Sequence, residues 1–193
     1  MYLVGVYCPL NQDKATENKV AKRGVEMSIR VNYGVGAFGK VISARILMGT
    51  DMIEGIEAIC QENDIESATI VSCIGSLQNS SFVYLVPDEI SKINVRFSEV
   101  IKKEGPLEFI QGAGVVCKRD GEYETHLHGS MSDQWGQVSG GHLIKGGNIV
   151  ITADIVLAEV QDIQHIRKFD DETGHLQFYP LEKDLQSPKK IEK

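Results

Sequence analysis

The sequence predicts an α+β fold, an antiparallel β-sheet or meander of about seven strands with one main α-helix. Three observations carry this reading. From Ser67 onward, seven short β-rich runs follow one another. The connections between them are brief and built from turn residues. Only one stretch, early in the chain, repeats apolar residues at helical spacing.

Residues 1–26 show no sustained period, and Asn11 to Arg23 is mostly polar, so this stretch reads as an N-terminal extension. A domain is expected over residues 27–181. Lys40–Met48 reads as its first strand. Asp51 is a good N-cap, with Glu54 three residues on at capping-box spacing. Met52, Ile56, Ile59 and Cys60 then recur at helical period, giving a helix of roughly residues 51–62. The β-rich runs that follow are Ser67–Gln78, Ser81–Val86, Ile93–Lys102, Leu107–Lys118, Tyr123–Met131, Val138–Ile144 and Asn148–Val160. Between them stand Gln78-Asn79, Pro87-Asp88, Gly105-Pro106, Asp120-Gly121, Asp133 to Gly136, and Gly146-Gly147. Asp120-Gly121 is a strong hairpin signal, because both residues tolerate the left-handed backbone of a two-residue turn. Residues 182–193 are dense in charge and read as a flexible tail.

Composition narrows the function. With 193 residues, 42% of them hydrophobic, the chain can bury one substantial core. Net charge is -7, unevenly spread. Residues 1–40 hold six Lys/Arg against three Asp/Glu, and the remainder fourteen against twenty-four. Such a domain repels a phosphate backbone unless it concentrates a basic patch, and none is visible in the sequence. No apolar run approaches the roughly 20 residues that span a bilayer. Met1 to Leu10 is too short for a secretory signal and lacks its flanks, so a cytoplasmic location and no membrane partner are expected. Cys8, Cys60, Cys73 and Cys117 form no C-x-x-C pair and read as small buried hydrophobes.

The chemistry concentrates in three histidines. His126 and His128 stand two apart on a strand and so point to one face. If the loop around Trp135 holds three or five residues, position 128 pairs with position 142 across the hairpin. His142 then lies opposite His128 and diagonal to His126. A four-residue loop would instead need a bulge at Gly140-Gly141 to restore that face. Three imidazoles on one patch suit a divalent transition metal with a fourth position open, zinc above all. All-imidazole ligation fits Zn, Fe, Ni or Cu better than Mg or Ca. His165 and His175 have no such partners and read as surface residues. Asp154 on the next strand is a candidate second-layer acceptor or general base. Trp135, with Asp133 beside it at the hairpin tip, would line a site or subunit contact, or cover the hairpin.

Around these residues the sequence resembles the PPC domain, conserved in plants and prokaryotes. The central block is T-H-L-H-G-S-M-S-D-x-x-G-x-V-x-G-G-H-L over residues 125–143. Four more blocks agree in order and spacing: RILMGTD at 45–51, ATIVSCIGSL at 68–77, GPLEF at 105–109 and TADIVL at 152–157. Asp154 stands where many members have Glu. The resemblance implies an antiparallel sheet with one main helix, usually a homotrimer, similar to acetolactate decarboxylase with its zinc-binding H-x-H…H histidines. It implies His126, His128 and His142 as metal ligands, with Arg45 and Asp154 as candidate catalytic neighbours. Plant members join this domain to AT-hooks, and DNA-binding labels in prokaryotes follow from that kinship. This chain carries no hook, so DNA as a partner rests on family analogy and is disfavoured by charge.

Two readings of function result. One is a metal-binding PPC protein acting as a trimeric binding and interaction module. The other is a zinc-dependent lyase or hydrolase acting on a small oxo- or carboxy-compound, with the open metal position polarising a carbonyl or activating water.

Overall fold

The structure, a computed structural model, describes residues 28–193. The extension read at residues 1–26 and Cys8 lie outside the described residues.

Strand β1 (Arg30–Tyr33) is followed by β2 (Ala37–Ile46) and the helix α1 (Met52–Glu62). Then come β3 (Ala68–Val83), β4 (Leu85–Pro87), β5 (Val95–Phe97), β6 (Ile101–Arg119), β7 (Glu122–Ser132), β8 (Val138–Leu143) and β9 (Val150–Gln161). The chain closes with β10 (Ile163–Asp170), β11 (His175–Glu182) and β12 (Lys189–Glu192). The main sheet has six strands in the order β2-β9-β3-β6-β7-β8, all antiparallel. The expected α+β class is therefore what the structure shows. Strands β6, β7 and β8 are a simple meander, whereas β9 returns to sit between β2 and β3. The far end of β3 also pairs with β8, Val83 opposite His142, so the sheet curls back on itself around the histidines.

Helix α1 starts where the cap was expected. Asp51 Oδ1 accepts from the backbone N–H groups of Ile53 at 3.0 Å and Glu54 at 3.1 Å. Its second oxygen accepts from the Asn148 N–H at 2.8 Å. Asn148 is fully buried, takes the Ser80 hydroxyl on its Oδ1 at 2.7 Å and donates to the Ile144 carbonyl at 2.7 Å. One carboxylate thus ties the helix start to the β8–β9 turn, and through Asn148 to β3. The buried side of α1, with Met52, Ile53 and Ile56, packs into a core shared with Leu77, Phe109 and Leu127. Cys60, Cys73 and Cys117 are buried, as expected of small hydrophobes. Burial pushes their thiols up, to about 11 for Cys60 and about 12 for the other two, which keeps them protonated and unreactive.

The structure corrects several sequence expectations. The expected runs Ser67–Gln78 and Ser81–Val86 join in one long strand, β3, as far as Val83, and Ile93–Lys102 divides between the short β5 and the start of a long β6 that runs on through Leu107–Lys118. The register shift between Leu77 and Asn79 falls opposite Gly105-Pro106, so both supposed turns belong to one shared irregularity in a continuous ladder. Residues 182–193 do not hang free throughout. Lys189–Glu192 pairs with β1, Ile191 against Val31, because ladder hydrogen bonds come from the backbone and tolerate charged side chains. The β10–β11 hairpin has no counterpart among the expected strands.

Candidate metal centre

The β7–β8 hairpin places the histidines. Ser132 pairs with Val138, leaving a five-residue loop centred on Trp135, one of the two lengths that put His128 opposite His142. Asp133 shapes that loop by accepting from the backbone N–H groups of Trp135 and Gln137, both at 3.0 Å. The register runs without a bulge through Gly140 and Gly141, so the alternative of a four-residue loop is not used. Both glycines instead pack against the carbonyls of neighbouring strands, Gly129 for one and Val83 for the other, where a Cβ would not fit. Trp135 is 75% exposed and does not cover the hairpin.

Along β7, Thr125, Leu127 and Met131 are buried toward the core while His126 and His128 point to the opposite face. Helix α1 steadies this strand from the core side. Glu57 is buried, accepts the Thr125 N–H at 3.0 Å, and is held by Lys145. Phe109 fixes the next turn of the ladder. Its ring stands so close to Gly112 that a Cβ there would lie 2.9 Å away.

The three rings converge. Centroids are 5.0 Å apart for His126–His128, 4.8 Å for His126–His142 and 5.2 Å for His128–His142. Nε2 of His126 lies 3.0 Å from Nε2 of His128, and one nitrogen from each ring falls within 4.8 Å of the others. Burial, the neighbouring imidazoles and Arg167 push His126 and His142 down from 6.5 to about 4. Both are therefore neutral near pH 7, with lone pairs free to bind a metal. This all-nitrogen donor set fits a divalent transition ion.

A pH prediction follows from these values. Between pH 6.5 and 4 the unfolded chain binds more protons at His126 and His142 than the folded one, so metal-free protein loses stability as pH falls through that window. The melting temperature of metal-free protein should drop from pH 7 to 4, and this loss should shrink in a His126→Gln, His142→Gln variant. Equal pH dependence in both proteins would contradict the assigned cause.

Above the triad lies a cavity of about 810 Å³. Its walls include Phe97 from β5, Arg167 and Phe169 from β10, and His175 and Leu176 from β11. The reading of His165 and His175 as surface residues is corrected here. His165 is buried, its backbone N–H on Ser67 and its ring beside the Val116 carbonyl. His175 is half-buried in the cavity wall, 6.0 Å from the Phe97 ring. Arg167 and His175 are the residues that sequence reasoning missed. A usable signal was the turn run Asp170 to Gly174 between two strand-like stretches.

Arg45 and Asp154 are brought together, but not with the triad. They oppose each other across β2 and β9 and line a separate depression with Ser43 and Ser72. Both are exposed, and Arg45 donates to Thr152 Oγ1 at 3.0 Å. Within one chain neither lines the histidine cavity.

Comparison with known proteins agrees with this architecture. The sequence model of the Plants and Prokaryotes Conserved (PCC) domain matches residues 33–161. A PPC protein from Pyrococcus horikoshii superposes with TM-score 0.64 at 29% identity, over 81% of this chain and 99% of that one. The metal-containing protein AF0104 from Archaeoglobus fulgidus does so with TM-score 0.61 at 29% identity, over 76% and 99%. A Bacteroides thetaiotaomicron protein named for a proposed DNA-binding role shares the fold, with TM-score 0.60 at 18% identity, over 75% and 97%. The bifunctional protein GlmU of Synechococcus sp. strain JA-3-3Ab is 29% identical over 140 residues, 72% of this chain, and the match spans only 20% of that protein's length. The five sequence blocks, the curled antiparallel sheet and the matched residues 33–161 place this chain in the Plants and Prokaryotes Conserved domain family.

Proposed function

We propose that this protein binds one divalent transition metal ion, zinc foremost, through His126, His128 and His142, and acts as a homotrimeric binding module. The observation that carries the reading is the convergence of three imidazoles, two of them held neutral, under an open cavity. The metal-containing relative from Archaeoglobus fulgidus supports it. When bound, such an ion supplies a Lewis-acid position facing the cavity. The chain's own residues fix its ligands. The ladder sets the imidazole spacing, and Glu57 secures β7 from the core side.

A homotrimer is supported by family resemblance and by the exposed sheet surface. Strands β2, β3 and β6 leave Phe38, Val41, Val71 and Ile110 between 45% and 69% exposed, an apolar area that self-association would cover. Light scattering should give about 64 kDa, three times 21.3 kDa. A clean monomer at micromolar concentration would overturn the trimer.

DNA is disfavoured as a partner by the net charge of -7. Any binding is expected to be weak and to vanish near physiological salt, since few phosphates could be neutralised. A gel-shift titration across salt concentrations checks this, and tight sequence-specific binding at 150 mM salt would refute it.

The second reading, a metal-dependent lyase or hydrolase on a small oxo- or carboxy-compound, is favoured by one observation, the cavity over the triad. Asp154 lines a separate depression and not that cavity within one chain, which weighs toward the module. No described helix is long and apolar enough to cross a membrane, and we place the protein in the cytoplasm.

A further inference from the structure

We infer that the β10–β11 hairpin builds a carboxylate-binding subsite beside the histidine triad, with Arg167 as its anchor and an apolar wall that selects the ligand's body. This rests on the metal reading above and deepens it by naming the ligand class: a small organic acid with an apolar tail.

The hairpin lies beyond the residues matched to the family domain, 33–161. It nonetheless supplies Arg167, Phe169, His175 and Leu176 to the cavity wall over the triad. Arg167 is held in place rather than waving in solvent. Its side chain is only 12% exposed, and Nη2 donates to the Leu176 carbonyl on the facing strand at 3.0 Å. Its Nε lies buried without a hydrogen bond, 3.5 Å from Glu124 Oε1. Glu124 is itself shared, because its other oxygen sits 3.0 Å from Arg119 Nε. Two guanidinium groups therefore face one carboxylate, and one positive charge is left over. Nη1 of Arg167 makes no hydrogen bond among the described residues.

The cavity amplifies that surplus. No Asp or Glu is among its lining residues, in a chain that carries 27 of them. A divalent ion on the three imidazoles would add two further positive charges to a cavity whose lining holds no carboxylate, Glu124 being engaged by the two arginines behind it. A low-polarity pocket that collects cations calls for an anionic guest. Guanidinium geometry favours a planar carboxylate, gripped at two points. The remaining wall is mostly apolar, with Leu85, Phe97, Phe169 and Leu176 outweighing the polar Tyr84 and Gln177, and suits a branched or aromatic tail.

The test uses the full-length zinc-loaded protein and 4-methyl-2-oxopentanoate as probe, compared with its uncharged methyl ester, by isothermal titration calorimetry. Zinc content is measured on every sample. The acid is expected to bind, and the ester to bind about tenfold or more weakly. Arg167→Met should lose roughly ten- to a hundredfold in affinity for the acid, the loss expected of a charge-assisted pair. Its zinc content should stay at the wild-type level. Arg167→Lys, which keeps charge but not the fork, should fall between. The ester comparison needs no variant, so the inference stays testable even where Arg167→Met disturbs the hairpin. Equal binding of acid and ester, or unchanged affinity in a folded Arg167→Met, would overturn the subsite. Failure to take up zinc would overturn the metal reading instead, while Arg167-dependent binding of the acid to metal-free protein would still support the anchor.

Discussion

His128→Ala should strip the protein of its metal. In wild type, elemental analysis after mild purification is expected to find about one transition-metal ion per chain. Removing an outer-layer partner of a ligand typically costs ten- to a hundredfold in metal affinity, so deleting a ligand should cost roughly a hundredfold or more. The His128 side chain is exposed, and among the described residues its ring meets those of His126 and His142. Its loss should therefore change the stability of the metal-free protein little, within about 0.5 kcal/mol. The signature is thus specific: metal gone, fold intact. A full metal complement in folded His128→Ala would show that the ion, if any, sits elsewhere.

Asp51→Ala should destabilise the fold strongly without touching the histidines. Three backbone donors lose their acceptor: Ile53, Glu54 and Asn148. An N-cap contributes about 1 kcal/mol, and the orphaned, buried Asn148 N–H adds about 1–3 kcal/mol. A loss of about 2–4 kcal/mol should appear as a melting shift on the order of 5–15 °C for a chain of this size. Asp51→Asn should recover part of it, since its amide oxygen can still cap the helix. A shift under 2 °C in Asp51→Ala would mean that water replaces the carboxylate at little cost.

Much of the site was legible in the sequence because it lies on one hairpin. Two-residue alternation fixes His126 with His128, and a loop centred on Trp135 fixes His142 opposite, so spacing alone constrains all three. The helix start was legible for the same reason, since Asp51 and Glu54 are local in sequence. What escaped depends on distant pairings. Arg167 and His175 reach the triad only because β10 and β11 fold back over the cavity, and no local pattern reports that. Arg45 and Asp154 carry a family block but face each other on β2 and β9, away from the histidines. Gln78-Asn79 and Gly105-Pro106 look like two turns in one dimension. Across a ladder they sit opposite each other and absorb a single irregularity. His165 reads as a surface residue because no partner histidine stands near it in the sequence, yet its ring is buried beside Phe178 with a carbonyl partner at 3.2 Å.

The function proposed for the cavity depends on a metal ion held by His126, His128 and His142. Its most direct test is anomalous diffraction from crystals of the metal-loaded protein, recorded on both sides of the zinc absorption edge. One difference peak per chain is expected, about 2.0–2.1 Å from a ring nitrogen of each of the three histidines. A map with no peak at the triad after zinc loading, or with its peak at other residues, would contradict it.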